Sequence, residues 1–215
     1  MPQSSRETGS VKVRRTILAC FLLSALSVAR VEATPIVFIF EGTGTGLLGA
    51  TRFTAAPFII TAIADTRNIV TSATADGARA GDFSLDTNFS RIAIAGIGTL
   101  AFTVGTRLFD ARDATINSQG PLDFLAFARA GLNGVVLMDF ANSAFATYDL
   151  ATPFGPLFLG NAIGVNPIGT TRGNLGFDQV TDVTFAARLI PEPGTLALLG
   201  IALAGLGFAR YRKLS

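Results

Sequence analysis

Val183-Thr184-Phe185-Ala186-Ala187-Arg188-Leu189 decides the fold class of this chain. Large apolar side chains stand at 183, 185 and 189, with polar ones at 184 and 188. This period of two puts one set on each face of an extended strand. The same alternation runs through Thr99–Val104, where Leu100, Phe102 and Val104 are apolar, and through Phe58–Ala64 and Arg91–Ala95. Val135–Phe140 and Ala144–Leu150 read as strands by the same rule, and Ile36–Phe40 as a further one. The runs are short and bounded by turn residues: Asp76-Gly77, Gly81-Asp82, Asn133-Gly134, and the Pro/Gly cluster from Pro153 to Gly160. Asn133-Gly134 suits a two-residue hairpin turn, because both residues tolerate positive φ. Many short strands punctuated in this way predict an all-β domain, an antiparallel β-sandwich or jelly-roll-like fold. Only Pro121–Gly131 (PLDFLAFARAG) could pass for a helix, and its length is marginal.

The segments outside this body have a different character. Lys12, Arg14 and Arg15 precede an uncharged apolar stretch, Thr16–Ala29 (TILACFLLSALSVA), and Val31-Glu32-Ala33 supplies small residues at the positions a signal peptidase reads. Residues 1–33 are therefore expected to be a signal peptide cut between Ala33 and Thr34. Leu18-Ala19-Cys20 loosely resembles a lipobox, but cleavage there would leave too few apolar residues before the cysteine. Cys20 is the chain's single cysteine. Once the leader is removed, neither disulfides nor thiol chemistry is expected of the exported domain.

At the other terminus Pro191-Glu192-Pro193-Gly194 is followed by an uncharged apolar stretch, Thr195–Ala209, and then by Arg210-Tyr211-Arg212-Lys213. As a helix, residues 195–209 would span about 22 Å, short of the ~30 Å hydrocarbon core, and snorkelling by Arg210 narrows the gap. Gly200 and Ala204 give the segment a small-xxx-small pair suited to close packing against other helices. The order of tripeptide, short Gly/Ala/Leu helix and basic end resembles the PEP-CTERM sorting signal of Gram-negative bacteria. The resemblance implies that Pro191, Glu192 and Pro193 are the recognition tripeptide and that Arg210, Arg212 and Lys213 form the stop-transfer cluster. Tyr211 interrupts the usual unbroken basic run. It also implies an exosortase, a membrane transpeptidase, as partner. The chain would pass transiently through the inner membrane and end at the cell surface or in the extracellular matrix. Ala56–Asp65 and Ala144–Leu150 resemble segments common in uncharacterised PEP-CTERM proteins, which implies no activity. A single-pass tail anchor would share this topology and lack the processing step.

Composition narrows the function of the body, residues 34–190. The whole chain has 215 residues, is 49% hydrophobic and 15% charged, and carries a formal net charge of +2. Its cations are concentrated outside the body. Arg6, Lys12, Arg14, Arg15 and Arg30 outnumber Glu7 and Glu32 in the leader, and Arg210, Arg212 and Lys213 outnumber Glu192 at the far end. The body has no lysine, and its aspartates and Glu41 outnumber its arginines, so no nucleic-acid partner is expected. The sequence has no histidine, which excludes Ser-His-Asp and Cys-His catalysis and His-ligated metals. It has no tryptophan either, and every phenylalanine except Phe21 and Phe208 lies in the body, where these rings supply the bulk of the core.

Three features suggest specific chemistry, and each has a plainer reading. Gly44-Thr45-Gly46-Leu47-Leu48-Gly49 has the form of a dinucleotide fingerprint. However, Thr51-Arg52-Phe53-Thr54, which follows, is strand-like and stops at Pro57, whereas a pyrophosphate site needs a helix there. The segment is expected to be a glycine-rich connection between strands. Asp76, Asp82 and Asp86 are the candidate ligands for calcium, the one cofactor these loops would suit, although their spacing matches no EF-hand. Solvated turns and Arg-Asp pairing are the plainer reading there, as for Asp110 and Asp113 beside Arg112. A two-carboxylate glycosidase would need aromatic platforms, and the body offers Tyr148 and phenylalanines only. Asn88-Phe89-Ser90 is a glycosylation sequon in form only, of little weight in a bacterium. The resulting expectation is an exported, non-catalytic domain, with a polysaccharide-binding module, assisted by calcium or not, as the alternative.

Overall fold

The computed structural model describes residues 35–71, 82–115, 121–131, 135–162, 166–191 and 200–202, with the backbone alone for 113–115, 121 and 122. Its described body is all-β, with two antiparallel sheets facing each other as a sandwich. The strands are β1 (Pro35–Leu48), β2 (Thr51–Asp65), β3 (Val70–Thr71), β4 (Phe83–Asp86), β5 (Phe89–Ile94) and β6 (Gly98–Ala101). They continue with β7 (Thr106–Thr115), β8 (Pro121–Arg129), β9 (Val136–Ala141), β10 (Phe154–Ala162), β11 (Ile168–Thr170) and β12 (Gly173–Leu189). The larger sheet runs β10-β12-β1-β2-β5-β6, with β11 also on β12, and the smaller runs β3-β4-β7-β8-β9.

The alternation that predicts the strands also fills the space between the sheets. Ile36, Phe38 and Phe40 of β1, Ile60, Ala62 and Ala64 of β2, and Val183 and Phe185 of β12 are all fully buried. From the other sheet Leu85, Leu108, Leu125 and Phe127 meet them, also fully buried. The Phe40 ring lies 6.1 Å from Phe127 and 6.4 Å from Phe140, joining the two layers.

The long central strands keep their inward set only because they carry bulges. In β12 the buried positions run Leu175, Phe177, Val180, Val183 and Phe185, so the parity changes twice. Those changes coincide with register shifts against β1 between Glu41 and Thr43 and between Thr45 and Gly46. An extra residue in one strand flips every later side chain, and a second extra residue restores the facing. Asp182 sits in the first of these irregularities at φ 53, and Ala55 of β2, at φ 46, sits in a register shift against β1 between Gly44 and Gly46, beside the second.

Several sequence expectations are corrected by tertiary context. Pro121–Gly131 is not a helix: β8 occupies it, because β7 and β9 pair along both of its edges and Leu125, Ala126, Phe127 and Ala128 are buried on both faces. Ala144–Leu150 is not a strand. Ser143–Thr147 forms a short 3-10 helix started by Asn142, whose side-chain oxygen accepts from the Ala144 N–H at 2.9 Å. The Pro/Gly cluster at 153–160 belongs to β10, an edge strand with broken register, where a proline leaves no ladder bond unmade. Pro57 does not end β2. Its carbonyl accepts from Ala95 on the β5 side, where the ladder stops, so the missing N–H costs no bond to β1.

The glycine run 44–49 is not a connection up to its last residue but the second half of β1. A Cβ on Gly44 would stand 2.5 Å from the Phe177 ring, and one on Gly46 would stand 2.1 Å from the Gly176 carbonyl oxygen. These glycines permit the close approach of β1 and β12, and only Gly49, at φ 57, turns the chain toward β2. The Asn133-Gly134 turn lies outside the described residues; the strands on either side of it, β8 and β9, pair antiparallel.

Candidate functional site

The strands that adjoin the two predicted processing segments in sequence are neighbours in the larger sheet. β1 starts at Pro35, immediately beyond the expected Ala33–Thr34 cleavage position, and β12 ends at Leu189, just before Pro191. The two strands are neighbours, with Ile36 opposite Leu189 and Val37 opposite Arg188. The last bond is made by Ile190, whose N–H donates to the Pro35 carbonyl at 2.8 Å. Pro191 follows at once and is exposed. Because proline has no N–H, the ladder cannot extend into the tripeptide from that position. The sheet therefore runs to the residue before the motif, with no linker between them.

Glu192, Pro193, Arg210, Arg212, Lys213, Ala33 and Thr34 lie outside the described residues. Gly200, Ile201 and Ala202 are helical, within the segment predicted as the apolar helix. Among the described residues, no helix is long and apolar enough to cross a membrane.

Asp110 and Arg112, for which the sequence suggested a solvated turn or an Arg-Asp pair, belong instead to a polar cluster in the interior. Asp110 of β7 stands opposite Phe83 and Leu125, at a position whose neighbours along the strand, Leu108 and Thr106, also point inward. Its carboxylate is fully buried, and neither oxygen has a hydrogen-bond partner. The nearest cation is Arg112, with Nε 3.7 Å from Oδ2. Part of that guanidinium is engaged elsewhere, while its Nε, like the two carboxylate oxygens, has no hydrogen-bond partner. Its Nη2 donates to the Tyr148 carbonyl at 2.6 Å, and its centre lies 4.5 Å over the Phe83 ring. Burial pushes the Asp110 carboxyl up to about 8 against the pull of Arg112, and the charges of Asp82 and Asp123 add to the rise. Burial, then Asp149 and Asp110, push the Tyr148 hydroxyl upward as well, and that hydroxyl also has no partner. Tyr148 packs on Phe154 at 4.4 Å, and Phe154 pairs with Ala187, two residues before the end of β12. The sequence did contain Asp110-Ala111-Arg112, but nothing local indicates that Asp110 faces inward.

The calcium candidates are not brought together in the described part of the chain. Asp82 is buried, and its Oδ1 accepts the Arg112 backbone N–H at 3.0 Å. Asp86, at the other end of β4, takes the Arg107 Nε at 2.6 Å. Asp76 lies outside the described residues. No group of three acidic, histidine or cysteine side chains among the described residues could hold a metal ion.

A groove of about 400 Å³ lies at the opposite end of the long strands, lined by Leu47, Asn166, Asn174, Gly176, Phe177 and Asp178 among others. Gly176, without a side chain, leaves space beside Pro167, and Asp178 is tied across β1 to Arg52 at 3.2 Å. Leu47 lies twelve positions along β1 from Pro35, which at the rise of a strand is roughly 40 Å. Amide and carboxylate groups over an apolar floor can hydrogen-bond a neutral, hydroxyl-rich ligand.

Residues 189–213 match the PEP-CTERM protein-sorting motif. No curated protein and no solved structure matches the chain. The motif marks the chain as an exported protein sorted through a membrane by an exosortase.

Proposed function

We propose that the chain is a non-catalytic surface or extracellular-matrix protein, whose β-sandwich is delivered as cargo after exosortase processing at Pro191-Glu192-Pro193. One observation carries this reading: the matched motif begins at Leu189, the last residue of β12, so folded domain and sorting signal adjoin without intervening sequence. The sequence without histidine supports a display role rather than acyl-transfer chemistry. Replacing Pro191, Glu192 and Pro193 together by alanine is expected to abolish processing. The intact mass of the exported protein would then run from Thr34 to Ser215, and the protein would stay with the membrane fraction. If the unaltered chain also kept residues up to Ser215, the segment would be a plain anchor and the processing part of this reading would fail.

The groove at Asn166, Asn174 and Asp178 favours a second reading, a polysaccharide-binding module. It faces away from the end at which the sorting signal leaves the sheet. Asn174 and Asp178 are exposed, so Asn174→Ala with Asp178→Ala should leave the melting temperature nearly unchanged and weaken binding to soluble exopolysaccharide about tenfold or more in calorimetry. Melting the unaltered protein with calcium and with chelator tests calcium assistance, and equal melting temperatures would remove it.

A further inference from the structure

We infer that the C-terminal end of β12 is a clasp that must open before the sorting enzyme can process the chain, so that the folded domain itself sets the rate of its own sorting. The inference rests on the reading of residues 189–213 as an exosortase substrate and adds a control element to it.

The geometry leaves the enzyme little room. An extended chain covers at most ~3.6 Å per residue, so Ile190 to Pro193 reaches about 10 Å, comparable with the spacing of two packed sheets. An enzyme holding the tripeptide in a cleft would meet the end of the sandwich, where Pro35, Ile36 and Leu189 are paired and Ile190 is bonded to Pro35. Extended substrates bind through their own backbone groups, and the Ile190 N–H is already engaged by Pro35 of β1.

Burial shows how far the clasp can open. Arg188 and Leu189 are exposed, Leu189 to 41%, and Ile190 is half-buried. Ala187 and Phe185, by contrast, are 1% and 0% exposed. Releasing residues 188–190 gives up a few ladder bonds at a strand end and little apolar contact, the low-stability kind of local opening that folded proteins sample. Releasing Ala187 and beyond would expose the aromatic core. The structure thus offers about three residues of slack, bounded by buried Ala187.

The test is a pulse-chase of the full chain in cells that make the sorting enzyme, with nine Gly/Ser residues inserted between Ile190 and Pro191. The insertion lies outside every strand, and an unchanged melting temperature of the exported protein confirms an intact domain. The expected result is processing about tenfold faster than in the original chain, equivalent to ~1.4 kcal/mol of opening free energy removed. An unchanged or slower rate overturns the clasp. The insertion chain with Pro191, Glu192 and Pro193 replaced by alanine separates the two ideas. If it is still processed, the sorting reading itself fails. If it is not processed and the insertion alone leaves the rate unaltered, only the clasp fails.

Discussion

Phe185→Ala is expected to cost the domain about 3–5 kcal/mol, because the lost ring is the hub of the aromatic core. Its ring centroid lies 4.9 Å from Phe40, 5.9 Å from Tyr148 and from Phe154, 6.1 Å from Phe145 and 6.3 Å from Phe38. These partners come from β1, from β10, from the 3-10 helix and from the residue that follows it, so no single element can shift to close the cavity. Dense interiors relax only partly around such a deletion, which is why the cost exceeds the transfer of one ring to water. For a domain of this size the melting temperature should fall by roughly 6–20 °C. Phe158→Ala is the control, since that ring is 60% exposed on the edge strand β10 and its loss should stay within about 0.5 kcal/mol. Urea midpoints of the two variants decide the matter. Equal midpoints would remove Phe185 from the centre of the core.

The second large effect is a dependence of stability on pH that Asp110→Asn should abolish. In the folded protein burial pushes the Asp110 carboxyl up to about 8, against 3.8 for a free side chain. Between these values the native state binds the proton and the unfolded chain does not. The contribution of this group to stability is therefore greatest below about pH 4, falls as pH rises through the window, and levels off above pH 8. In mid-window the slope attributable to this one group is about −1.4 kcal/mol per pH unit. Asparagine has the same shape and cannot ionise, so the variant should lack that slope and should be more stable than the original at pH 8. The other groups facing the site are Asp82 just before β4, Arg112 from β7, Asp123 from β8, and Tyr148 and Asp149 after the 3-10 helix. They remain in the variant, as do the carboxyls of Asp86 and Asp139, which burial also raises. The difference between the two pH profiles therefore isolates Asp110. Profiles that run parallel from pH 4 to 8 would show that the carboxylate finds water or a partner in solution.

Legibility in the sequence followed the range of the interactions concerned. Phe58–Ala64 and Arg91–Ala95 could be read because each has one wet and one dry face, and alternation is a local pattern; Val183–Leu189 keeps it only in part, since Ala186 is buried and Leu189 is 41% exposed. Pro121–Gly131 misled because β8 is buried on both faces, which erases the alternation and leaves an apolar run without a period. Ala144–Leu150 misled in the opposite way. It alternates, but the Asn142 cap and the absence of a partner strand favour a 3-10 turn that inserts Phe145 into the core. The bulges at Asp182 and Ala55 left no local sign either, since they answer to the register of a neighbouring strand.

By itself the sequence determined the strand-rich class of the body and the sorting signal at 189–213. Both are patterns over short stretches of chain, one read by the solvent boundary and the other by an enzyme acting on an extended segment. Tertiary structure alone decided that Asp110 is buried beside an already engaged Arg112, and that Gly44 and Gly46 are sites of close strand approach. It also decided that β1 and β12 are neighbours, so that Ile190 closes on Pro35. Partners separated by some 150 residues are chosen by which faces bury one another when the whole domain condenses, and no local period of the chain carries that information.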